Sequence, residues 1–116
     1  MDQFLPYGRQ AIDDADVAAV AAALRSAFLT TGPAVESFER HFADAVSAPH
    51  AVACANGTAA LHLAALAADL GPGDAAIVPA VTFMATANAV RYTGAEVVFA
   101  DVDPDSGLLG AGELED

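Results

Sequence analysis

Residues 53–62 read ACANGTAALH. This pattern predicts the end of a strand, a tight turn at Gly57 and a helix that begins near Thr58. The first backbone N–H groups of a helix lack partners within the helix, and they lie at its positive end. With the Thr58 hydroxyl they form an arrangement that suits a phosphate group. A plain strand-to-helix connection can have the same sequence, so the turn alone leaves both interpretations open.

The sequence around this turn predicts strands that alternate with helices. The apolar run 51–54 has the texture of a strand that is covered on both faces. A helix over 58–69, a strand over 76–79, a helix over 83–92 and a strand over 96–100 are expected to follow it. Such alternation indicates a βαβαβ arrangement with three parallel strands and right-handed crossovers. The sequence therefore predicts an α/β fold class.

The first fifty residues predict two helices and no strand. Asp13, Asp14 and Asp16 are expected to cap a helix that runs to about Ala27. Pro33 is suited to the first turn of a second helix, which ends near Pro49. Apolar side chains three or four residues apart give each helix one stripe: Val17, Val20, Leu24 and Phe28 on the first, and Val35, Phe38, Phe42 and Val46 on the second. We therefore divide the chain into a helical segment, 1–50, and an α/β segment, 51–116.

Composition excludes several classes of function. The 116 residues carry a net charge of −12, which argues against binding to nucleic acid or to an anionic membrane surface. Cys54 is the single cysteine, which we interpret as a buried structural thiol in a reducing compartment. The chain has neither a basic leader nor an apolar run of about 18 residues, so we expect a cytoplasmic protein. Asp101, Asp103 and Asp105 alternate as calcium ligands do, but Pro104 favours a solvated turn, and we predict no metal site.

Four motifs resemble the DegT/DnrJ/StrS family of sugar aminotransferases, which are pyridoxal phosphate (PLP) enzymes of fold type I. The motifs occur in the family's order over essentially the whole chain: 6–10 (PYGRQ), 28–33 (FLTTGP), 56–61 (NGTAAL) and 79–88 (PAVTFMATAN), the last followed by Gly94-Ala95 and 102–104 (VDP). The pattern is most similar to the branch that aminates C4 of a UDP-linked 4-keto-6-deoxy sugar, as in the pseudaminic acid pathway.

The resemblance implies a cofactor and a set of binding residues. Gly57 and Thr58 would hold the PLP phosphate, and Asn56, which stands where the family has Ser, can still donate a hydrogen bond there. Phe83 matches the aromatic residue that stacks on the pyridine ring. Tyr7 and Thr30 match positions that bind the nucleotide-linked keto sugar. The family takes its amino group from glutamate, works as a homodimer and supplies sugars for polysaccharides and other glycans.

The sequence contains no lysine, since its four basic residues are all arginines. A lysine Schiff base therefore cannot form within these residues, and no catalytic residue is assigned to them. In the family, this lysine and the carboxylate that holds the pyridine nitrogen lie downstream of the motifs found here. We therefore expect the sequence to represent the N-terminal part of a longer enzyme, with 51–116 as an incomplete PLP-binding domain.

Other functions remain open on the sequence. The chain could be a non-catalytic truncated homologue or a partner of a full-length aminotransferase. It could equally belong to relatives in which His replaces the lysine and which act as sugar 3-dehydratases. A nicotinamide-binding domain is disfavoured, because no Gly-x-Gly-x-x-Gly follows a strand. His62 is interpreted as a hydrogen-bonded core residue.

Overall fold

The computed structural model describes residues 8–112, so Tyr7 and the last four residues lie outside the described part. The chain divides into two compact units, one that ends at Ala53 and one that begins at Cys54. Residues 8–112 contain four helices and two strands, namely α1 (Asp14–Leu24), α2 (Pro33–Ala45), α3 (Gly57–Ala67), β1 (Ala75–Pro79), α4 (Ala85–Tyr92) and β2 (Glu96–Ala100). The division of roles between 1–50 and 51–116 stays a prediction.

The aspartates cap helix α1, as predicted, and Asp13 and Asp16 do so as a capping box. The Asp13 carboxylate accepts hydrogen bonds from the N–H groups of Ala15 and Asp16 at 2.8 and 3.0 Å. The Asp16 carboxylate in turn accepts from the Asp13 N–H at 3.0 Å. The helix ends at Leu24, earlier than expected, because the chain turns where the Ser26 hydroxyl donates to the Phe28 carbonyl at 2.8 Å. Phe28 therefore does not extend the predicted stripe.

The turn before α2 is tightly wound. Thr31 has a φ of +51°, in the left-handed region that a β-branched residue rarely adopts. Gly32 caps α2, and a Cβ added to it would lie 2.8 Å from the Phe28 Cβ, so no other residue fits without movement. Pro33 follows at the first helical position, as predicted.

The apolar side chains of the first unit form faces that the described residues do not cover. Phe38 and Phe42 lie one turn apart on α2 with ring centroids 5.9 Å apart, and both rings are exposed. The side chains of Val17, Val20 and Leu24 on α1 are exposed as well. Among the described residues of this unit, Ala43 alone is buried. The predicted stripes therefore exist as helix faces but not as a core.

Residues 51–54 do not form the predicted strand. A strand needs a hydrogen-bonded neighbour, and within the described part of the chain β1 and β2 pair only with each other. The Ala53 N–H instead donates to a carboxylate oxygen of Glu39 on α2 at 2.7 Å. The expected three strands are therefore two among the described residues.

The second unit confirms the α/β prediction from β1 onward. β1 and β2 are parallel, with Ala75 opposite Glu96 and Pro79 opposite Ala100, and α4 connects them. Val78, Val90 and Ala95 are buried together between the sheet and α4. Gly71–Asp74 and Gly94 form the turns that lead into the amino ends of β1 and β2, as their Gly and Pro content predicted.

Candidate functional site

The first turn of α3 carries open hydrogen-bond donors. Asn56 caps this helix, since its side-chain oxygen accepts from the Ala59 N–H at 2.9 Å and its carbonyl accepts from the Ala60 N–H at 3.1 Å. Within residues 8–112, the N–H groups of Gly57 and Thr58 and the Thr58 hydroxyl have no hydrogen-bond partner. A Cβ added to Gly57 would meet nothing within 4 Å. Donors and free space therefore coincide. We call these three donors, which are the predicted phosphate-binding groups, the phosphate site.

The start of α3 differs from the start of α1 in the charge of its first turn. The first turn of α1 contains Asp14 and Asp16, whose carboxylates compensate its positive end. The first turn of α3 contains no acidic residue. Because the chain is strongly acidic, an anion at α3 would depend on backbone N–H groups rather than on basic side chains.

Phe83 lies in the loop that leaves the carboxyl end of β1. The predicted helix over 83–92 begins later, at Ala85, so Phe83 precedes it, and its carbonyl accepts from the Thr86 N–H at 3.0 Å. Its side chain is 74% exposed. Phe83 is therefore not a core residue, and its ring is free to stack on a planar ligand.

The predicted site residues fall into three groups. Asn56, Gly57 and Thr58 are adjacent at the start of α3, and Phe83 belongs to the same unit. Thr30 lies in the first unit, exposed in the turn before α2, where its carbonyl accepts from the Thr31 hydroxyl at 2.8 Å. Tyr7 lies outside the described residues.

Two predictions about side chains near α3 are wrong. Cys54 is exposed rather than buried, and its thiol donates to the Asn56 carbonyl at 3.4 Å. His62 is half-buried, and its ring contacts Tyr92 edge-on at 5.4 Å instead of making a hydrogen bond to another described residue. The spacing of Thr58 and His62, one helical turn, is the sequence signal that places both on one face of α3.

The acidic loop after β2 forms a turn. The Asp103 carboxylate accepts from the N–H groups of Ser106 at 2.7 Å and Asp105 at 3.2 Å. Hydrogen bonds from Ser106, first from its hydroxyl and then from its backbone, lower the pKa of Asp103 below its ordinary value. Among residues 8–112, no three His, Cys, Asp or Glu side chains are placed to hold a metal ion, and no helix in that range is long and apolar enough to cross a membrane.

Comparison with known proteins gives a family match. Residues 10–116 match the model of the DegT/DnrJ/EryC1/StrS aminotransferase family. A curated relative from Shewanella sediminis, UDP-4-amino-4-deoxy-L-arabinose–oxoglutarate aminotransferase, is 43% identical over 114 residues, which are 98% of this chain and 29% of that protein. The chain therefore spans less than a third of the length of this relative.

Solved structures agree with the match. A Streptococcus pneumoniae protein described as a sugar aminotransferase, Spr1654, superimposes with a TM-score of 0.86 at 33% identity over 96% of this chain and 28% of its own, and it has been solved in PLP and PMP forms. The structure of 3-amino-5-hydroxybenzoic acid synthase superimposes with a TM-score of 0.82 at 37% identity, over 97% of this chain and 29% of its own. The described residues thus have the fold of one part of these larger proteins.

Proposed function

Because this chain belongs to the DegT/DnrJ/EryC1/StrS aminotransferase family, we propose that it is the N-terminal part of a PLP-dependent sugar aminotransferase. The observation that carries the proposal is the phosphate site, with its two open N–H groups and one hydroxyl at an uncompensated helix end. The PLP and PMP forms of a relative with the same fold support this ligand.

The residues present fit the phosphate and ring of PLP. The Gly57 and Thr58 N–H groups and the Thr58 hydroxyl would bind the phosphate, and the open space beside Gly57 leaves room for it. Since the Asn56 oxygen is engaged with Ala59, its amide NH₂ group remains as a further donor. Phe83 would cover one face of the pyridine ring, hold it flat and exclude water from it. When bound, PLP supplies an electron sink for amino-group transfer.

The remaining chemical groups are proposed to come from beyond these residues. With no lysine in the sequence, the Schiff-base lysine must come from another segment, and we place the carboxylate for the pyridine nitrogen there as well. The share of the Shewanella relative that this chain covers, 29%, leaves ample length for both groups.

We place the substrate among nucleotide-linked 4-keto-6-deoxy sugars, with glutamate as amino donor, for polysaccharide and glycan synthesis. The name of the Shewanella relative contains a UDP-linked 4-amino sugar and oxoglutarate, which supports a nucleotide-linked sugar aminated at C4. Its sugar is a pentose, so the 6-deoxy part of the proposal rests on the motifs alone. Tyr7 and Thr30 are the proposed residues on the sugar side. A cytoplasmic homodimer is the proposed state of the complete enzyme.

Two alternatives are distinguished by one observation each. A sugar 3-dehydratase would have His at the position of the family's lysine in the downstream sequence. A non-catalytic truncated homologue, or a partner of a full-length aminotransferase, would exist in its cells as the short chain and would copurify with the larger protein in the partner case.

PLP titration of the complete protein that contains this chain tests the proposal. We expect the Thr58→Val variant, which loses a hydroxyl but keeps the side-chain shape, to bind PLP about 10-fold to 100-fold more weakly, as for a hydrogen bond to a charged group. Thr93→Val is the matched control, since its hydroxyl donates to the Val90 carbonyl at 2.7 Å at the far end of α4. Equal PLP affinity in Thr58→Val and the parent would contradict the proposal.

A further inference from the structure

One face of α3 packs against the rest of its own unit, the second. Thr58, His62 and Ala65 are spaced as neighbours along one side of a helix. Ala65 is buried and the other two are half-buried, whereas Leu61 and Leu63 are exposed. The Thr58 side chain therefore lies on the packed side of α3 and not on its solvent side.

The partner of this face is α4. The two helices form the main helix-to-helix contact of the unit. Ala85 and Ala89 are buried on α4, and Tyr92 follows on the same side, where its ring meets that of His62 at 5.4 Å and 69°. The alanine side chains are small and have no directional preference, whereas two rings prefer a particular edge-to-face geometry. The ring pair is therefore the directional contact between α3 and α4.

This contact adjoins the phosphate site. His62 lies one turn after Thr58, and helical side chains lean toward the N-terminus of their helix, so the His62 ring lies over the turn that begins at Thr58. We propose that the His62–Tyr92 ring pair is a positioning contact that holds this turn of α3 in the orientation that presents the Thr58 N–H and hydroxyl to the cofactor phosphate. This inference rests on the proposed function.

The role depends on the shape of the ring rather than on its nitrogens. The His62 ring makes no hydrogen bond to another residue of the described range 8–112. Phenylalanine, which keeps an aromatic ring without nitrogens, should therefore replace it.

The experiment measures PLP dissociation constants by absorbance, and melting temperatures, in the complete protein. His62→Ala and Tyr92→Ala are each expected to weaken PLP binding about threefold to tenfold, the range an aromatic pair is worth. His62→Phe should restore affinity to within about twofold of the parent. Leu63→Ala, a truncation of an exposed neighbour on α3, is the matched control and should leave PLP affinity unchanged. Because Tyr92 is 58% exposed, Tyr92→Ala is expected to fold even if His62→Ala does not.

Two outcomes would overturn the inference alone. In one, Tyr92→Ala or His62→Ala melts at a lower temperature but binds PLP as tightly as the parent, while Thr58→Val still loses affinity. In the other, His62→Phe binds PLP as weakly as His62→Ala. If Thr58→Val also binds like the parent, the proposed function fails, and the positioning role fails with it.

Discussion

At the scale of single residues, Asn56 combines a structural role with a proposed binding role. Its oxygen caps α3 through the Ala59 N–H, which leaves its NH₂ group available as a donor. Substitution can separate the two roles, because aspartate caps a helix as well as asparagine does but brings a negative charge.

We expect Asn56→Asp to keep or raise the melting temperature and to weaken PLP binding about tenfold or more, because two negative charges would lie close together. Asn56→Ala, which loses the cap, should cost about 1 kcal/mol of unfolding free energy. Thermal melting and PLP titration of the two variants in the complete protein check this. Parent-like PLP affinity in Asn56→Asp would show that the phosphate binds elsewhere.

The helix cap and the open donors at the start of α3 could be predicted from sequence because their signals are local, whereas their binding of a phosphate stays a prediction. Asn, Gly and Thr at the start of α3 define the cap and the open donors without help from distant residues. The exposure of Phe83 could be expected only from the family motif, because an aromatic residue between a strand and a helix would otherwise be assigned to a core; its stacking on the pyridine ring stays a prediction. The partner of His62 could not be predicted, since Tyr92 is 30 positions away and only the packing of α3 on α4 brings the rings together.

At the scale of helices and strands, elements with their own start and stop signals were predicted well. Pro33 begins α2, and β2 spans the predicted 96–100. The run 51–54 has the composition of a strand, but a strand also requires a neighbour, which composition cannot reveal. In its place the Glu39 carboxylate accepts the hydrogen bond of the Ala53 N–H.

Gly94 closes the turn between α4 and β2 and permits a test at this scale. Its φ is +88°, and a Cβ added to it would lie 3.1 Å from the Pro72 Cγ. We expect Gly94→Ala to lower the free energy of unfolding by about 1–2 kcal/mol, since alanine is strained at positive φ and must displace Pro72.

Urea denaturation of the complete protein measures this cost. Gly71→Ala is the matched control, because an added Cβ at Gly71 meets nothing within 4 Å and its φ is not positive. An equal effect of the two substitutions would show that the Gly94 turn is not under the constraint described.

At the scale of the whole molecule, the exposed apolar side chains and the absence of a lysine both support the proposal that these residues are part of a longer protein. The described residues leave the apolar faces of α1 and α2 uncovered, and in the second unit Ile77 and Phe99 are exposed on the two-stranded sheet. Burial this limited offsets little of the conformational entropy that folding costs. We therefore expect these faces to be covered in the complete protein, which would also supply the lysine that this sequence lacks.

The most direct test of this account is native mass spectrometry of the protein purified from its own cells and identified by its N-terminal peptide. We expect a chain roughly three times heavier than the 11.7 kDa of these residues, in proportion to the 29% of its relative that they cover, with one PLP bound per chain. An 11.7 kDa chain without PLP would contradict it and would favour the non-catalytic homologue.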